Sequence, residues 1–308
     1  MTHPPPETII IEDQTLRDGL QMESRIFTLE EKRHLFSLLK NAGLRRIQVG
    51  AFVHPQKVPQ MATTGDLIRA IGPVPDLLVS VLVLNDTGLD RAMAAGAMNL
   101  DLSASVSQAH SLKNAGMPTD LAFSQMAALI VRALSAGCKV RAGLQCVFGS
   151  PDDGPVPETV ILQKAETLVS AGATDLCLAD TAGMATPLSI QRMVGAVSRE
   201  FPQARIWLHL HDTQGLGMAN VFAGYEMGIR HFDACTGGLG GCPFVRGAAG
   251  NVPTESVVHL FEAMNMNTGI DLAELTKAAL WLETVLGRRV SGRHQSRCVH
   301  PDADSSVS

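Results

Sequence analysis

The sequence predicts an α/β fold, a (β/α)8 TIM barrel with a C-terminal helical cap. Two observations predict it. Eight short apolar or β-branched segments alternate with longer helical patterns. The helical patterns repeatedly stop at glycine just before the next strand: Gly43, Gly96, Gly137, Gly172 and Gly228 each sit there. A helix closed by glycine and followed by a strand is the repeat of a βα unit, and eight such units close into a barrel.

The strand candidates run in order through ETIIIEDQT (7–15), RRIQVGAF (45–52), DLLVSVLVL (76–84), MNLDLSAS (98–105), KVRAGLQCVF (139–148), TDLCLADT (174–181), RIWLHLHDT (205–213) and HFDACTGG (231–238). Several are near-continuous apolar runs, as strands buried on both faces are. The first helix is read in TLEEKRHLFSLLKNAG, where Thr28 and Glu31 have the spacing of a capping box and Gly43 ends the run. After the eighth unit, DLAELTKAALWLETVLGR reads as one more amphipathic helix, and the polar tail HPDADSSVS reads as unstructured.

The rival fold is an open doubly wound sheet, which usually carries a glycine-rich phosphate turn after its first strand. Here that turn reads LRDGLQ. The chain of 308 residues would fill one large barrel or two ordinary domains, and no Pro/Gly/Ser-rich linker divides it. One catalytic barrel domain over 1–308 is expected, with the barrel over about 8–268 and a helix and tail over 269–308.

Composition narrows the function classes. With 45% hydrophobic and 18% charged residues, the chain is globular rather than disordered. A net charge of -5 and the lack of a basic stripe argue against a nucleic-acid partner. No apolar run reaches the length of a membrane span, and MTHPPPETIIIED has no signal-type core. The six cysteines, at 138, 146, 177, 235, 242 and 298, lack metal-knuckle spacing. A reducing cytoplasm is the expected location, with most cysteines acting as small core residues.

In a barrel, chemistry gathers where strands end and βα loops begin. Read that way, the first strand ends in Arg17 and Asp18, the second carries Gln48, and the fourth ends near Ser107 and His110. The fifth carries Gln145, the sixth ends in Asp180 and Thr181, and the seventh ends in His209, His211 and Asp212. Cys242 and Asn251 follow the eighth. Residues two apart on a strand face the same way, so His209 and His211 converge on one point in the barrel mouth. Asp18 and Asn251 would complete a set of nitrogen and oxygen ligands suited to a divalent ion: Mg²⁺, Mn²⁺ or, as a third option, Zn²⁺. Asp212 faces away and serves a backbone or a neighbour. The plainer readings are a pair of satisfied core histidines, an internal Arg17–Asp18 ion pair, and Asp180 with Thr181 as a helix N-cap.

Taken together, TLRDGLQ (15–21), HLHDTQG (209–215) and GGLGGCPFVRGAAGN (237–251) resemble the 3-hydroxy-3-methylglutaryl-CoA lyase family, from about Ile9 to about Cys298. DTAGMATP (180–187) is shared with a wider group of metal-dependent barrel lyases and synthases. The resemblance implies Asp18, His209 and His211 as metal ligands, with Asn251 weaker or adjacent. It implies Arg17 as the cation that meets an enolate oxygen, and Cys242 as a catalytic cysteine on a glycine-rich loop. Gln21 and Asp180 fall at neighbouring active-site positions, and Cys298 where relatives often carry a C-terminal cysteine.

The implied activity is cleavage of a 3-hydroxy-3-methylglutaryl-CoA-like thioester to a keto acid and acetyl-CoA, by a homodimer. Alternatives are a Claisen-type synthase, a keto-acid aldolase of the same superfamily, or a catalytically degenerate barrel. Two positions depart from the family. Gln48, in QVGAF, replaces the carboxylate of E-x-T-S-F, and Gln108, in SVSQAHSLKN, stands where an acid is usual. An amide keeps the shape but not the charge. His54 and Ala51 also differ, near the expected substrate entrance.

Overall fold

The structure, a computed structural model, describes residues 8–241 and 250–291. Eight parallel strands close on themselves: β1 (Ile10–Asp13), β2 (Arg46–Phe52), β3 (Leu78–Val83), β4 (Asn99–Ser105), β5 (Lys139–Gln145), β6 (Asp175–Asp180), β7 (Arg205–Leu210) and β8 (His231–Ala234). Pairing of β1 with β8, from Ile10–His231 to Asp13–Ala234, completes the barrel. All eight predicted strands are present, each somewhat shorter than its apolar run. The helices are α1 (Leu29–Asn41), α2 (Thr64–Ile71), α3 (Asp86–Ala94), α4 (Gln108–Ala115), α5 (Thr119–Ser135), α6 (Glu158–Ser170), α7 (Pro187–Glu200), α8 (Gly217–Glu226), α9 (Thr254–Ala263) and α10 (Leu272–Leu286).

Local signals in the chain set these boundaries. The Thr28 hydroxyl accepts from the Glu31 backbone N–H while the Glu31 carboxylate accepts from the Thr28 N–H, so the predicted capping box forms. Gly43, Gly96, Gly137, Gly172 and Gly228 all have positive φ. That left-handed turn releases each chain from its helix toward the next strand at little cost for glycine. Helix α10 packs on α1 and on the Thr236–Gly238 turn, covering the end of the barrel wall.

One expectation needs correction. The first strand stops at Asp13, so Arg17 and Asp18 are not on it. They lie on a wide helical turn, Thr15–Gly19, in which the N–H groups of Arg17, Asp18 and Gly19 all converge on the Gln14 carbonyl. The turn lifts Arg17 and Asp18 above the strand and tips them inward over the mouth.

The outer wall of the barrel is apolar and carries the helices; Leu208, Val194, Ile161 and Phe232 are fully buried there. The lumen is different. Alternation within the strands turns Glu12, Gln48, Asp101, Arg141 and Asp233 inward, and all five are buried. Arg141 donates to Asp101 (2.7 and 2.8 Å), Asp233 (2.6 Å) and Glu12 (3.1 Å), and Arg46 donates to Glu12 (2.8 Å). Trp207 lies beneath both guanidinium groups, 4.8 Å from Arg141 and 4.4 Å from Arg46. A buried charge of this kind holds only when paired and hydrogen-bonded, as each of these is.

Candidate active site

Asp18, His209 and His211 meet at the open end of the lumen. Their ligand atoms lie within 4.8 Å of one another. The Nε2 atoms of the two imidazoles are 3.2 Å apart, and the Asp18 Oδ2 is 3.9 Å from that of His209 and 3.7 Å from that of His211. His209 stands on β7, while His211, one residue past it, is fixed by a bridge to Asn251. The Asn251 amide donates to Asp18 Oδ2 (2.6 Å) and to the Leu239 carbonyl (3.0 Å). Three stretches distant in sequence thus converge on one point.

The protonation pattern says what that point suits. His209 Nδ1 lies 3.1 Å from Asp233 Oδ2, a carboxylate that can only accept, so the His209 ring proton sits on Nδ1. Its Nε2 therefore presents a lone pair toward the Nε2 of His211. Two imidazole nitrogens and a carboxylate oxygen facing each other call for a cation. The Asn251 Oδ1 is buried with no hydrogen-bond partner, another acceptor available beside the same cluster. Asp233 behind His209 is the carboxylate–histidine arrangement that orients metal ligands. These residues fit a divalent ion.

Electrostatics agree. Burial alone would raise the Asp18 carboxyl, but Arg17 and the two imidazoles outweigh it and hold the acid well below the usual carboxylate range. Asp18 is therefore ionised at any working pH. Arg17 is anchored on three sides: Nε donates to the side-chain Oε1 of Gln48, Nη1 to Asp18, and Nη2 to the side-chain Oε1 of Gln14 at 2.8 Å. Each terminal nitrogen keeps a proton for another acceptor. The Arg17 side chain is 13% exposed, so those protons are reachable from the mouth.

Glycine is required where the last loop crosses this cluster. Gly240 has φ 106°, and a Cβ there would meet Asn251 Nδ2 at 2.5 Å and Asp18 Oδ2 at 3.0 Å. Any side chain would push the loop off the ligands.

The remaining sequence-predicted positions divide. Gln48 is fully buried and touches Arg17, and Gln21 is half-buried three residues beyond Asp18. Asp180 is buried at the end of β6 but is not one of the convergent ligands. Its oxygens accept from the Met184 (2.8 Å) and Ala185 (3.0 Å) N–H groups, and the N-cap of α7 is Thr186. The N-cap reading of Asp180 is corrected accordingly: the carboxylate braces the loop before the helix. Thr181 accepts from the Cys146 N–H instead.

Asp212 accepts from the Gly217 N–H at 2.7 Å, the backbone role expected of it. Ser107 caps α4, and Gln108 accepts from the Thr119 N–H at 3.0 Å, joining α4 to α5. Gln108 is thus a helix-joining residue, away from the metal cluster. Cys242 and Cys298 lie outside the described residues, as does the polar tail.

Sequence reading missed Glu12, Asp101, Arg141 and Asp233. Their signal was present: Asp101, Arg141 and Asp233 each stand between two apolar strand neighbours, and Glu12 follows Ile10 and Ile11.

Comparison with known proteins places this geometry. A family model described as HMGL-like matches residues 8–281. The chain is 33% identical over 288 residues to the mitochondrial hydroxymethylglutaryl-CoA lyase of Macaca fascicularis, covering 94% of this chain and 89% of the relative. It is also 33% identical to a hydroxymethylglutaryl-CoA lyase of Bacillus subtilis, covering 94% and 97%. Crystal structures superpose closely: the Bacillus subtilis HMG-CoA lyase with a TM-score of 0.92 at 32% identity, covering 97% of this chain and 100% of that one. An Acinetobacter baumannii HMG-CoA lyase in complex with coenzyme A and 3-methylmalate gives 0.91 at 33%, covering 97% and 98%. With its closed barrel, its paired imidazoles and a match running almost end to end, the chain belongs to the HMGL-like family.

Proposed function

We propose that this protein is a metal-dependent carbon–carbon lyase. It cleaves a 3-hydroxy-3-methylglutaryl-CoA-like thioester to a keto acid and acetyl-CoA. The observation that carries the reading is the convergence of Asp18, His209 and His211 with Arg17 beside them. The relatives named above support it, and the coenzyme A held by the Acinetobacter baumannii lyase supports an acyl-CoA substrate.

Asp18, His209 and His211 would hold the ion, Mg²⁺ or Mn²⁺ by preference and Zn²⁺ as an alternative, with Asn251 as a weaker or adjacent ligand. When bound, such an ion supplies a Lewis acid that draws in a substrate hydroxyl and lowers its pKa. Asp233 keeps the His209 proton on Nδ1, so its Nε2 stays aimed at the ion. A base must take the hydroxyl proton, and Asp18 and His209 are the groups at hand; the oxygen then forms the keto group while the adjacent carbon–carbon bond breaks. The released electron pair moves onto the thioester carbon and oxygen as an enolate. Arg17, a permanent cation with unused N–H protons at the mouth, meets that charge. Cys242 then returns a proton to the enolate carbon, giving acetyl-CoA. At the described root of that segment Gly237, Gly238, Gly240 and Gly241 all have positive φ, a conformation glycine adopts at little cost. Gln21, Gln48 and Asp180 shape the substrate side of the pocket.

No helix among the described residues is long and apolar enough to cross a membrane. Cys138, Cys177 and Cys235 are free, and with Cys146 they are buried. The cysteines support the reducing, cytoplasmic setting we propose. We assign one catalytic barrel domain over 1–308 and a homodimer, and no nucleic-acid or membrane partner.

Acetyl-CoA release from 3-hydroxy-3-methylglutaryl-CoA by the Mg²⁺-loaded protein tests the reading. Turnover that disappears on chelation is expected. No turnover on any 3-hydroxyacyl-CoA, with metal demonstrably bound, would favour a degenerate barrel instead.

A further inference from the structure

Arg17 is useful only if its guanidinium points at the mouth, and its Nε is held by the carbonyl oxygen of the Gln48 amide. An amide has two faces. Turned the other way, Gln48 would set its NH₂ against the Arg17 donor, and the contact would become repulsive. Arg17, which can only donate, favours the carbonyl face of this fully buried amide.

The opposite side of the amide enforces the same orientation. Gln48 Nε2 donates to Asp101 Oδ2. Both Asp101 oxygens also accept from Arg141, Oδ1 from Nε at 2.8 Å and Oδ2 from Nη2 at 2.7 Å. An ionised carboxylate has no proton to give, so it takes the Gln48 N–H and turns the carbonyl toward Arg17. Arg141 is held in turn by Glu12 and Asp233, both buried, and Asp233 reaches His209. A single file of buried hydrogen bonds therefore joins Arg17 to His209 around the lumen, each donor facing an acceptor.

We propose that Asp101 is a positioning residue for the reaction: acting through the Gln48 amide, it fixes the direction of the Arg17 guanidinium. The hydrogen-bond partners of Asp101 are Gln48 and Arg141, not Asp18, His209 or His211. The proposal rests on the lyase reading and concerns how the rate is reached, not which bond breaks.

Two single variants and one double variant test it. Gln48→Met removes both hydrogen bonds but leaves Asp101 paired with Arg141. Asp101→Asn lets the Gln48 amide turn over. Each should lower kcat by about tenfold to a hundredfold, the scale of a slight misplacement of a catalytic group. For Asp101→Asn, KM for the thioester and the Kd for Mn²⁺ should stay within about threefold, because Asp101 reaches the site only through Gln48 and Arg141. Combining Gln48→Glu with Asp101→Asn exchanges acid and amide: the introduced amide donates to the introduced carboxylate, which accepts from Arg17. This double variant should recover at least about fivefold in kcat over Asp101→Asn alone.

A general loss of packing would not be rescued by that exchange. Should Asp101→Asn fail to fold, Gln48→Met decides: folded protein with parental kcat overturns the proposal. Single variants within threefold of the parent, or a double variant no better than Asp101→Asn, also overturn it. If the parent itself shows no turnover, the lyase reading is what fails. The positioning is then read from a crystal structure of folded Asp101→Asn, or of Gln48→Met where that variant does not fold. A guanidinium swung away from Gln14 and Asp18 supports the role, and an unmoved Arg17 refutes it.

Discussion

Replacing Asp233 by Asn should weaken divalent-metal binding while leaving the barrel folded. Asp233 carries two duties on one carboxylate, accepting from His209 Nδ1 at 3.1 Å and from Arg141 Nη1 at 2.6 Å. An amide has one accepting oxygen, so one of those donors would face an NH₂ group. If that donor is His209, the imidazole tilts or changes tautomer, and its Nε2 no longer presents a settled lone pair. Losing such a partner behind a ligand costs about 10- to 100-fold in metal affinity, roughly 1.4–2.7 kcal/mol.

Charge bookkeeping says the fold survives. The lumen holds the acids Glu12, Asp101 and Asp233 against Arg141 and Arg46. Neutralising Asp233 leaves two acids facing two guanidinium groups, so no charge is orphaned. Calorimetric titration with Mn²⁺ at fixed pH, alongside a thermal melt, measures both quantities. Mn²⁺ affinity within twofold of the parent in a well-folded Asp233→Asn protein would refute the claim that Asp233 orients His209.

Further predictions concern the ligand set, the loop and pH. Asp18→Ala removes the one anionic ligand and should abolish stoichiometric metal binding; a full equivalent retained on gel filtration would contradict the assignment. Cys242→Ser should keep parental Mn²⁺ affinity but lower kcat by about two orders of magnitude or more, on the scale of general acid catalysis. Unchanged turnover would remove the thiol from the mechanism.

Glu255 is buried under the root of the same loop, both oxygens accepting from the Gly237 N–H, and burial pushes its carboxyl up to about 7 from 4.5. A raised acid favours the folded state only while protonated. Its contribution is fully present below about pH 4.5 and is lost as pH rises through about 7, by at most about 3 kcal/mol. Glu255→Gln should therefore melt higher than the parent at pH 8 and equally at pH 4.5. Parallel Tm curves across that range would show that Glu255 is not the titrating group.

The barrel was legible because its signals are local. Strand apolarity follows from burial on both faces, and positive-φ glycines close the helices at Gly43, Gly96, Gly137, Gly172 and Gly228. Position two apart on β7 sufficed to pair His209 with His211. What the sequence hid depends on three-dimensional closure. The helical turn under Arg17 and Asp18 exists because three N–H groups find one carbonyl, which no periodicity announces.

The charged lumen was missed for a related reason. Asp101 and Arg141 each look like an isolated polar residue until β4 and β5 pair them, with Asp101 directly opposite Arg141. Asp180 looked like a helix cap because it precedes one, but five intervening residues let its carboxylate fold back onto the loop and leave the capping to Thr186. The exchange of an acid for Gln48, read from sequence as a lost charge, has a positive role in the structure. An amide is the neutral side chain that can accept from Arg17 and donate to Asp101 at once.

The most direct test is a crystal of the protein soaked in Mn²⁺ and measured for anomalous scattering. One strong peak should lie about 2.0–2.4 Å from an Asp18 oxygen and from the Nε2 atoms of both His209 and His211. A peak elsewhere, or none between those three side chains in a crystal that binds the ion, would contradict the metal centre on which the lyase chemistry depends.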